Sequence, residues 1–229
     1  MVSAVSLIEF PDVIQGSDEW LEQRRGIVTA SVVGQLVTPS TRKPANNDAS
    51  RGITAQLVAE RITGYTDPSY INDDMLRGIE DEPRARDLYA EFYKRTVTET
   101  GFLLRKEDTW QLGYSPDGLV GDDGLIEIKA PRAKTHLRTI LSGEVPAQYM
   151  AQCQAGLLVS GRAWIDFISF SGGMPMWHTR VLPDPAWQDA IVAACEQFEA
   201  TATEMAAAYE AKTEGLPATE RIIYQELTI

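Results

Sequence analysis

The residues best able to do chemistry are Asp117, within Ser115-Pro116-Asp117-Gly118, and the triplet Glu127-Ile128-Lys129 that follows it. An aspartate on one short extended segment and a Glu-x-Lys on the next can meet at one point in space. Two carboxylates on a shared face repel each other unless a cation lies between them. Magnesium suits such a place, because it prefers oxygen ligands in near-octahedral geometry and keeps several waters. Asp117, Glu127, the backbone carbonyl of Ile128 and phosphate oxygens of a substrate would supply those ligands. A bound metal lowers the pKa of its water and neutralises charge on a scissile phosphate. Lys129 would hold that water or steady the pentavalent transition state. The chemistry implied is magnesium-dependent cleavage of a phosphodiester. The same short pattern also fits an exposed hairpin that merely carries surface charges.

The elements that must bring these groups together can be read around them. Trp110–Tyr114 mixes aromatic and apolar residues at strand spacing, and Gly121-Asp122-Asp123-Gly124 is a turn signal. Leu125–Lys129 alternates, with Leu125, Glu127 and Lys129 on one face and Ile126 and Ile128 on the other. The reading is a hairpin with Asp117 on the partner strand opposite Glu127 and Lys129. Pro116 cannot donate to a ladder, so the strand should be irregular there. Val97–Leu104 reads as the strand before this hairpin. Ala163–Phe170 and Met176–Leu182 read as a second hairpin joined through Ser171-Gly172-Gly173.

Helices are predicted around these strands. Asp18–Arg25 carries Ser17 as N-cap, acids in its first turn and Gly26 to end it. Thr29–Leu36 starts another, and its N-terminus beside Arg24 and Arg25 is a candidate phosphate site. Gly52–Gly64 has apolar residues at helical spacing. Met75–Arg95 is a long helix with Leu88, Tyr89 and Phe92 on one face, and Pro83 is expected at a first turn or a kink. Thr135–Ser142 reads as a short helix. Pro146–Val159 is a long one on which Gln148, Tyr149 and Gln152 share an edge. Pro185 begins a helix that runs to about Gly215. Thr38–Asp48 reads as a mobile basic loop, Asp67–Asp73 as a further loop, and residues 1–14 as a lead-in with a short strand.

Five pieces of this sequence occur in one order: Gly16-Ser17-Asp18-Glu19-Trp20 with Arg24-Arg25-Gly26-Ile27-Val28-Thr29-Ala30-Ser31; Gly78-Ile79-Glu80-Asp81-Glu82-Pro83 with Ala85 and Tyr89; Ser115-Pro116-Asp117-Gly118; Glu127-Ile128-Lys129; and Gln148-Tyr149-Met150-Ala151-Gln152. In these pieces, spanning about Gln15 to Val181, the chain resembles the phage-lambda-type alkaline exonucleases. These are YqaJ-like viral recombinases of the PD-(D/E)xK nuclease superfamily. The resemblance implies an α/β fold, a restriction-endonuclease-like core whose central mixed β-sheet is flanked by helices. It implies a metal-dependent exonuclease that degrades linear double-stranded DNA from the 5′ end and leaves 3′ overhangs for recombination by strand annealing. It also implies that Glu82 points into the metal site beside Asp117 and Glu127, with two magnesium ions and manganese as a candidate substitute. Arg24, Ser31, Ser115 and Gln152 are implied to anchor the 5′-terminal phosphate. The implied partners are double-stranded DNA ends, two further copies in a homotrimeric ring, and a single-strand annealing protein. Two other readings stay open: a structure- or site-specific endonuclease on the same core, and a catalytically silent DNA-binding protein.

Composition bounds these readings. With 229 residues, 44% hydrophobic and 24% charged, the chain suits a single nuclease domain over 1–229, with a core at about 15–182 and a helical segment at about 184–229. No apolar run reaches membrane-spanning length, so no membrane is expected, and nothing basic precedes the first apolar residues as a secretory signal would require. Cys153 and Cys195 suit a reduced, cytoplasmic protein, in the bacterial host if the chain is phage-encoded. Two cysteines cannot hold a four-cysteine iron–sulfur cluster, and His136 and His178 make no zinc pattern. The net charge of −12 is unusual for a DNA-binding protein. The cations are segregated, though: Arg24 with Arg25, Arg42 with Lys43, and Arg132, Lys134, His136 and Arg138 after the Glu-x-Lys strand. Acids gather in Asp73–Glu82 and Glu196–Glu214. A surface basic only where DNA passes would reconcile the two.

Overall fold

The computed structural model describes residues 6–68 and 72–222. The ends of the lead-in and tail, and the middle of the Asp67–Asp73 loop, lie outside the described residues. In chain order the elements are β1 (Ser6–Phe10), α1 (Asp18–Arg24), α2 (Ala30–Val33), β2 (Val37–Thr38), β3 (Lys43–Pro44), α3 (Asp48–Thr63), α4 (Asp73–Tyr93) and β4 (Val97–Thr98). There follow β5 (Phe102–Lys106), β6 (Gln111–Tyr114), β7 (Gly118–Val120), β8 (Gly124–Lys129), α5 (Ala133–Ser142), α6 (Ala147–Ser160), β9 (Trp164–Ser169), β10 (Trp177–Val181) and α7 (Pro185–Thr213).

A five-stranded mixed sheet, ordered β10-β9-β8-β7-β4, forms the centre, and a second sheet, β1-β5-β6, lies beside it. Only the β8–β9 pair is parallel among the named pairs of the central sheet. A parallel neighbour requires a crossover, and α5 and α6 supply it between β8 and β9. The alternation of β8 feeds two cores. Leu125 joins the larger core with Cys153 and Leu157 of α6, Ile165 and Phe167 of β9, and Ile191 and Phe198 of α7. Ile126 and Ile128 join a smaller one with Ala85 and Tyr89 of α4. Helices therefore flank the sheet on both faces, and β8 is buried across its width.

Several sequence expectations change here. Trp110–Tyr114 does not pair with Leu125–Lys129: β6 pairs with β5, in register Leu103 to Tyr114, and β8 pairs with β7 through Gly118 to Ile126. Strand spacing identifies a strand but not its partner. Val97–Leu104 is two strands, β4 on the central sheet and β5 on the other. Pro83 lies inside a continuous α4 and not in its first turn. On that helix Tyr89 is buried, whereas Phe92 is 71% exposed and Leu88 half-exposed, so the buried stripe runs through Ala85 and Tyr89. The basic loop after Thr38 is a two-stranded hairpin, with Val37 opposite Pro44, and Arg42 is tied to Asp184 at 3.1 Å.

The glycine of the Ser-Pro-Asp-Gly stretch has a packing reason. A Cβ on Gly118 would lie 2.5 Å from Val97 Cγ1 and 2.9 Å from the Ile126 side chain. Gly118→Ala is therefore expected to lower stability by about 1–3 kcal/mol through overpacking, measured as a reduced denaturant midpoint at unchanged m-value.

Candidate active site

Asp117 stands where the chain passes from one sheet to the other, between the end of β6 at Tyr114 and the start of β7 at Gly118. This crossing, Ser115–Asp117, is held by side chains. Gln15 Nε2 donates to the Pro116 carbonyl at 3.2 Å, Trp20 Nε1 donates to Ser115 Oγ at 2.8 Å, and Arg86 Nε donates to the Asp117 carbonyl at 2.8 Å. The Asp117 carboxylate accepts from the backbone N–H of Ile128 at 2.6 Å, which fastens it to β8 beside Glu127. The expected meeting of Asp117 with the Glu-x-Lys strand is thus made through the Ile128 amide.

Glu127 is 1% exposed and lies on the Leu125 face of β8, where an apolar residue would otherwise pack. A buried carboxylate needs partners. Lys129 Nζ lies 2.8 Å from Oε1, Gln152 Nε2 donates to the same oxygen at 2.6 Å, and Tyr114 Oη donates to Oε2 at 3.2 Å. Tyr114 reaches this position because α6 passes close over its ring at Gly156, where a Cβ would lie 2.7 Å from Tyr114 Cζ. Lys129 is also 5.4 Å from the centroid of the Tyr149 ring, which itself stacks on Phe167.

The electrostatics are those of crowded acids. Burial first, and then the Glu127 charge, push the Asp117 carboxyl well above the usual carboxylate range. Burial raises Glu82 as well, against the pull of Arg86. Burial alone would depress the Lys129 ammonium, but Glu127 and Asp117 more than offset it and hold it above its ordinary value. Burial and the Glu127 charge likewise keep the Tyr114 hydroxyl protonated, so it serves as a donor.

Glu82 sits on α4 with Oε1 2.6 Å from Arg86 Nη2. Arg24 donates from Nη2 to Ser31 Oγ at 3.2 Å and to Thr29 Oγ1 at 3.3 Å, and its guanidinium carbon stands 3.9 Å from the Trp20 ring centroid. Burial lowers the Arg24 pKa, opposed by the charge of Glu60. The connection between α1 and α2 turns at Gly26, at φ 65°, a conformation natural to glycine. Both peptide groups of Gly26 are gripped by α3: its N–H donates to Glu60 at 2.8 Å, and Arg61 Nε donates to its carbonyl at 2.7 Å. Arg61 is in turn held by Glu199 of α7 at 2.7 Å.

Arg24, Ser31, Glu82, Ser115, Asp117, Glu127, Ile128, Lys129 and Gln152 open, among others, on one cleft of about 830 Å³. The sequence-predicted residues therefore share one cavity, with two qualifications. Gln152 bonds Glu127 and is not beside Arg24 or Ser31 in hydrogen-bonding terms. Ser115 joins the Arg24 group through Trp20. His136 departs from the basic stretch altogether, being fully buried between Ser169 Oγ at 2.7 Å and the Pro175 carbonyl at 3.0 Å. Arg132 and Arg77 line the mouth, both paired with Asp74, while Lys134 and Arg138 are exposed. Cations thus rim the cleft and acids occupy its floor.

Trp20, Tyr114 and Arg86 were not given roles from the sequence. Arg86 carried a readable signal, since it stands four residues after Glu82 on one helix, the spacing of an ion pair. Tyr114 and Trp20 reach their partners only through tertiary folding.

A magnesium ion fits the donor set. Asp117, Glu127 and the Ile128 carbonyl offer hard oxygen atoms, and no cysteine or histidine lines the cleft among the described residues. The excess of buried negative charge around Asp117 is of the sign a cation relieves. Among the described residues no three acidic, histidine or cysteine side chains stand close enough to clasp an ion by themselves. Backbone, water and substrate oxygens would complete the sphere, as magnesium ordinarily requires.

Residues 19–163 match the profile of the YqaJ-like viral recombinase domain. The chain is similar to the crystal structure of an alkaline exonuclease, LHK-Exo, from Laribacter hongkongensis, at 35% identity and TM-score 0.77, covering 88% of this chain and 100% of that one. It is equally similar to LHK-Exo in complex with dAMP, at 35% identity, TM-score 0.78 and the same coverage. A phage-related exonuclease from Haemophilus somnus 129PT shares the fold at 15% identity and TM-score 0.56, over 78% of this chain and 96% of that one. No curated protein matches the sequence.

Proposed function

The chain belongs to the YqaJ-like viral recombinase family and has the fold of an alkaline exonuclease, and from this premise we propose that it is a metal-dependent 5′-to-3′ exonuclease of linear double-stranded DNA. The observation that carries the proposal is the convergence of Asp117, Glu127 and Lys129, with the Ile128 amide joining the first to the other two. Asp117, Glu127, Glu82 and the Ile128 carbonyl would hold magnesium, which would neutralise charge on the scissile phosphate and supply an activated water. The same carboxylates would hold a second ion, and manganese suits these oxygen donors as magnesium does.

The protein's own groups have separate tasks. Lys129, held by Glu127, presents its ammonium to the attacking water and to the negative charge on the phosphoryl oxygens. Tyr114 and Gln152 fix the Glu127 carboxylate. Arg24 and Ser31, with Ser115 on the far side of Trp20, receive the 5′-terminal phosphate, and Gln152 lies at the border between that pocket and the carboxylates. The dAMP complex of LHK-Exo supports a nucleotide-sized pocket in this fold. The cations at the cleft mouth suit the negative backbone of DNA. The 3′ strand that survives would pass to a single-strand annealing protein, and three copies in a ring would keep the enzyme on its duplex, within the cytoplasm of a bacterial host. No helix among the described residues is long and apolar enough to cross a membrane.

Digestion of end-labelled duplex tests this reading. A 5′ label is expected to be released first while a 3′ label is retained on a shortening duplex, and closed circular duplex should stay intact. Release of the 3′ label first, or nicking of the circle, would replace it with the opposite polarity or with an endonuclease.

A further inference from the structure

Arg86 touches the two sides of the acidic floor at once. It is the fourth residue after Glu82 on α4, and its side chain is 12% exposed. Each of its three nitrogens is engaged: Nε donates to the Asp117 carbonyl at 2.8 Å, Nη2 to Glu82 Oε1 at 2.6 Å, and Nη1 lies 2.6 Å from Glu99 Oε2. Glu99 stands on the connection between β4 and β5. One rigid fork thus spans α4, the crossing that carries Asp117, and the link between the two sheets.

This matters because Asp117 lies just outside the ladder. The β7–β8 pairing begins at Gly118, so its hydrogen bonds do not fix the Asp117 peptide. Pro116, immediately before it, has no N–H to contribute. The Asp117 side chain is fastened by Ile128, but its backbone is fastened to α4 by Arg86. The distance between the Glu82 carboxylate and the Asp117 peptide is therefore set by a planar guanidinium whose donors cannot move independently.

We infer that Arg86 is a positioning residue that fixes Glu82 and Asp117 relative to each other and thereby sets the affinity of the cleft for its divalent ion. The inference rests on the metal-dependent nuclease reading and extends it to a residue outside the carboxylate–lysine set. Groups that orient metal ligands typically change metal affinity by about 10–100-fold when removed. Lysine cannot substitute, since a single ammonium has no fork with which to hold a carbonyl and a carboxylate in one plane.

The test uses manganese as the probe. Its binding to the protein alone is followed by loss of the free-ion electron paramagnetic resonance signal, for wild type, Arg86→Ala and Arg86→Lys. Magnesium half-saturation of digestion and the melting temperature are measured on the same samples. Both variants should bind manganese about tenfold or more weakly. Half-saturation should rise by the same factor, and excess magnesium should restore much of the lost rate. Rescue by the ion separates positioning from a general loss of folding. If Arg86→Ala does not fold, Arg86→Lys decides alone. Wild-type manganese affinity in a folded variant, or a lost rate that magnesium does not restore, would overturn the assignment. Wild-type protein that binds no manganese and digests DNA in chelator would instead remove the metal reading beneath it.

Discussion

Asp117→Ala and Lys129→Ala are each expected to abolish digestion of linear duplex, lowering turnover by about 10³-fold or more, while binding to duplex ends persists. The magnitude follows from losing a group that acts on charge formed only in the transition state, where one well-placed donor is worth about 10²–10³ in turnover and a bound metal supplies several kcal/mol of charge stabilisation. For Asp117 the side chain is also what accepts the Ile128 N–H, so its removal frees the crossing from β8. For Lys129 there is a second consequence. Glu127 is 1% exposed and would lose its one ion-pair partner among the described residues. An uncompensated buried charge typically costs about 3–5 kcal/mol, so Lys129→Ala should also lower the melting temperature. Turnover is read from nucleotide release and end binding from fluorescence anisotropy. Near-wild-type turnover in either folded variant would remove that residue from the chemistry.

The second large effect concerns the end of the strand. Arg24→Ala should slow digestion of 5′-phosphorylated ends by about tenfold to a hundredfold, and should barely change digestion of 5′-hydroxyl ends. A hydrogen bond to a charged group is worth about 1.5–3 kcal/mol, and each 1.4 kcal/mol is a factor of ten. The guanidinium is prepared for such a role. It is stacked on Trp20, joined to Ser31 and Thr29, and partly stripped of water, which strengthens its hold on an anion. The comparison is single-turnover digestion of the same duplex with and without its terminal phosphate. Equal slowing on both substrates would place Arg24 in the scaffold of the cleft and not in its phosphate pocket.

Much of this site is legible in the sequence. Glu127 and Lys129 had to share a face because strand side chains alternate, and they do. Pro116 announced an irregular backbone, and the chain there crosses between sheets. The hairpin of β9 and β10 and the long α7 were readable from alternation and from an uninterrupted helical composition. Partner choice was not. Trp110–Tyr114 has a strand's residues, but nothing local says that it must pair with β5 and not with β8. Helical spacing puts Leu88, Tyr89 and Phe92 on one face, yet the face buried against Ile126 and Ile128 is the one bearing Ala85 and Tyr89. His136 looked like one of four basic residues, although its ring completes a buried hydrogen-bond pair with Ser169 and Pro175. The bond from Gln152 to Glu127 is likewise invisible in the helix edge that carries Gln152. In each case the local pattern was sound, and long-range contacts decided which neighbour it served.

The most direct measurement is a crystal structure grown with manganese and read by its anomalous scattering. The expected result is a peak at the floor of the cleft, in direct contact with oxygens of Asp117 and Glu127 and with the Ile128 carbonyl, which disappears in Asp117→Asn. A strong peak elsewhere with this floor empty, or the same peak retained in Asp117→Asn, would contradict the convergence of Asp117, Glu127 and Lys129 on a divalent ion.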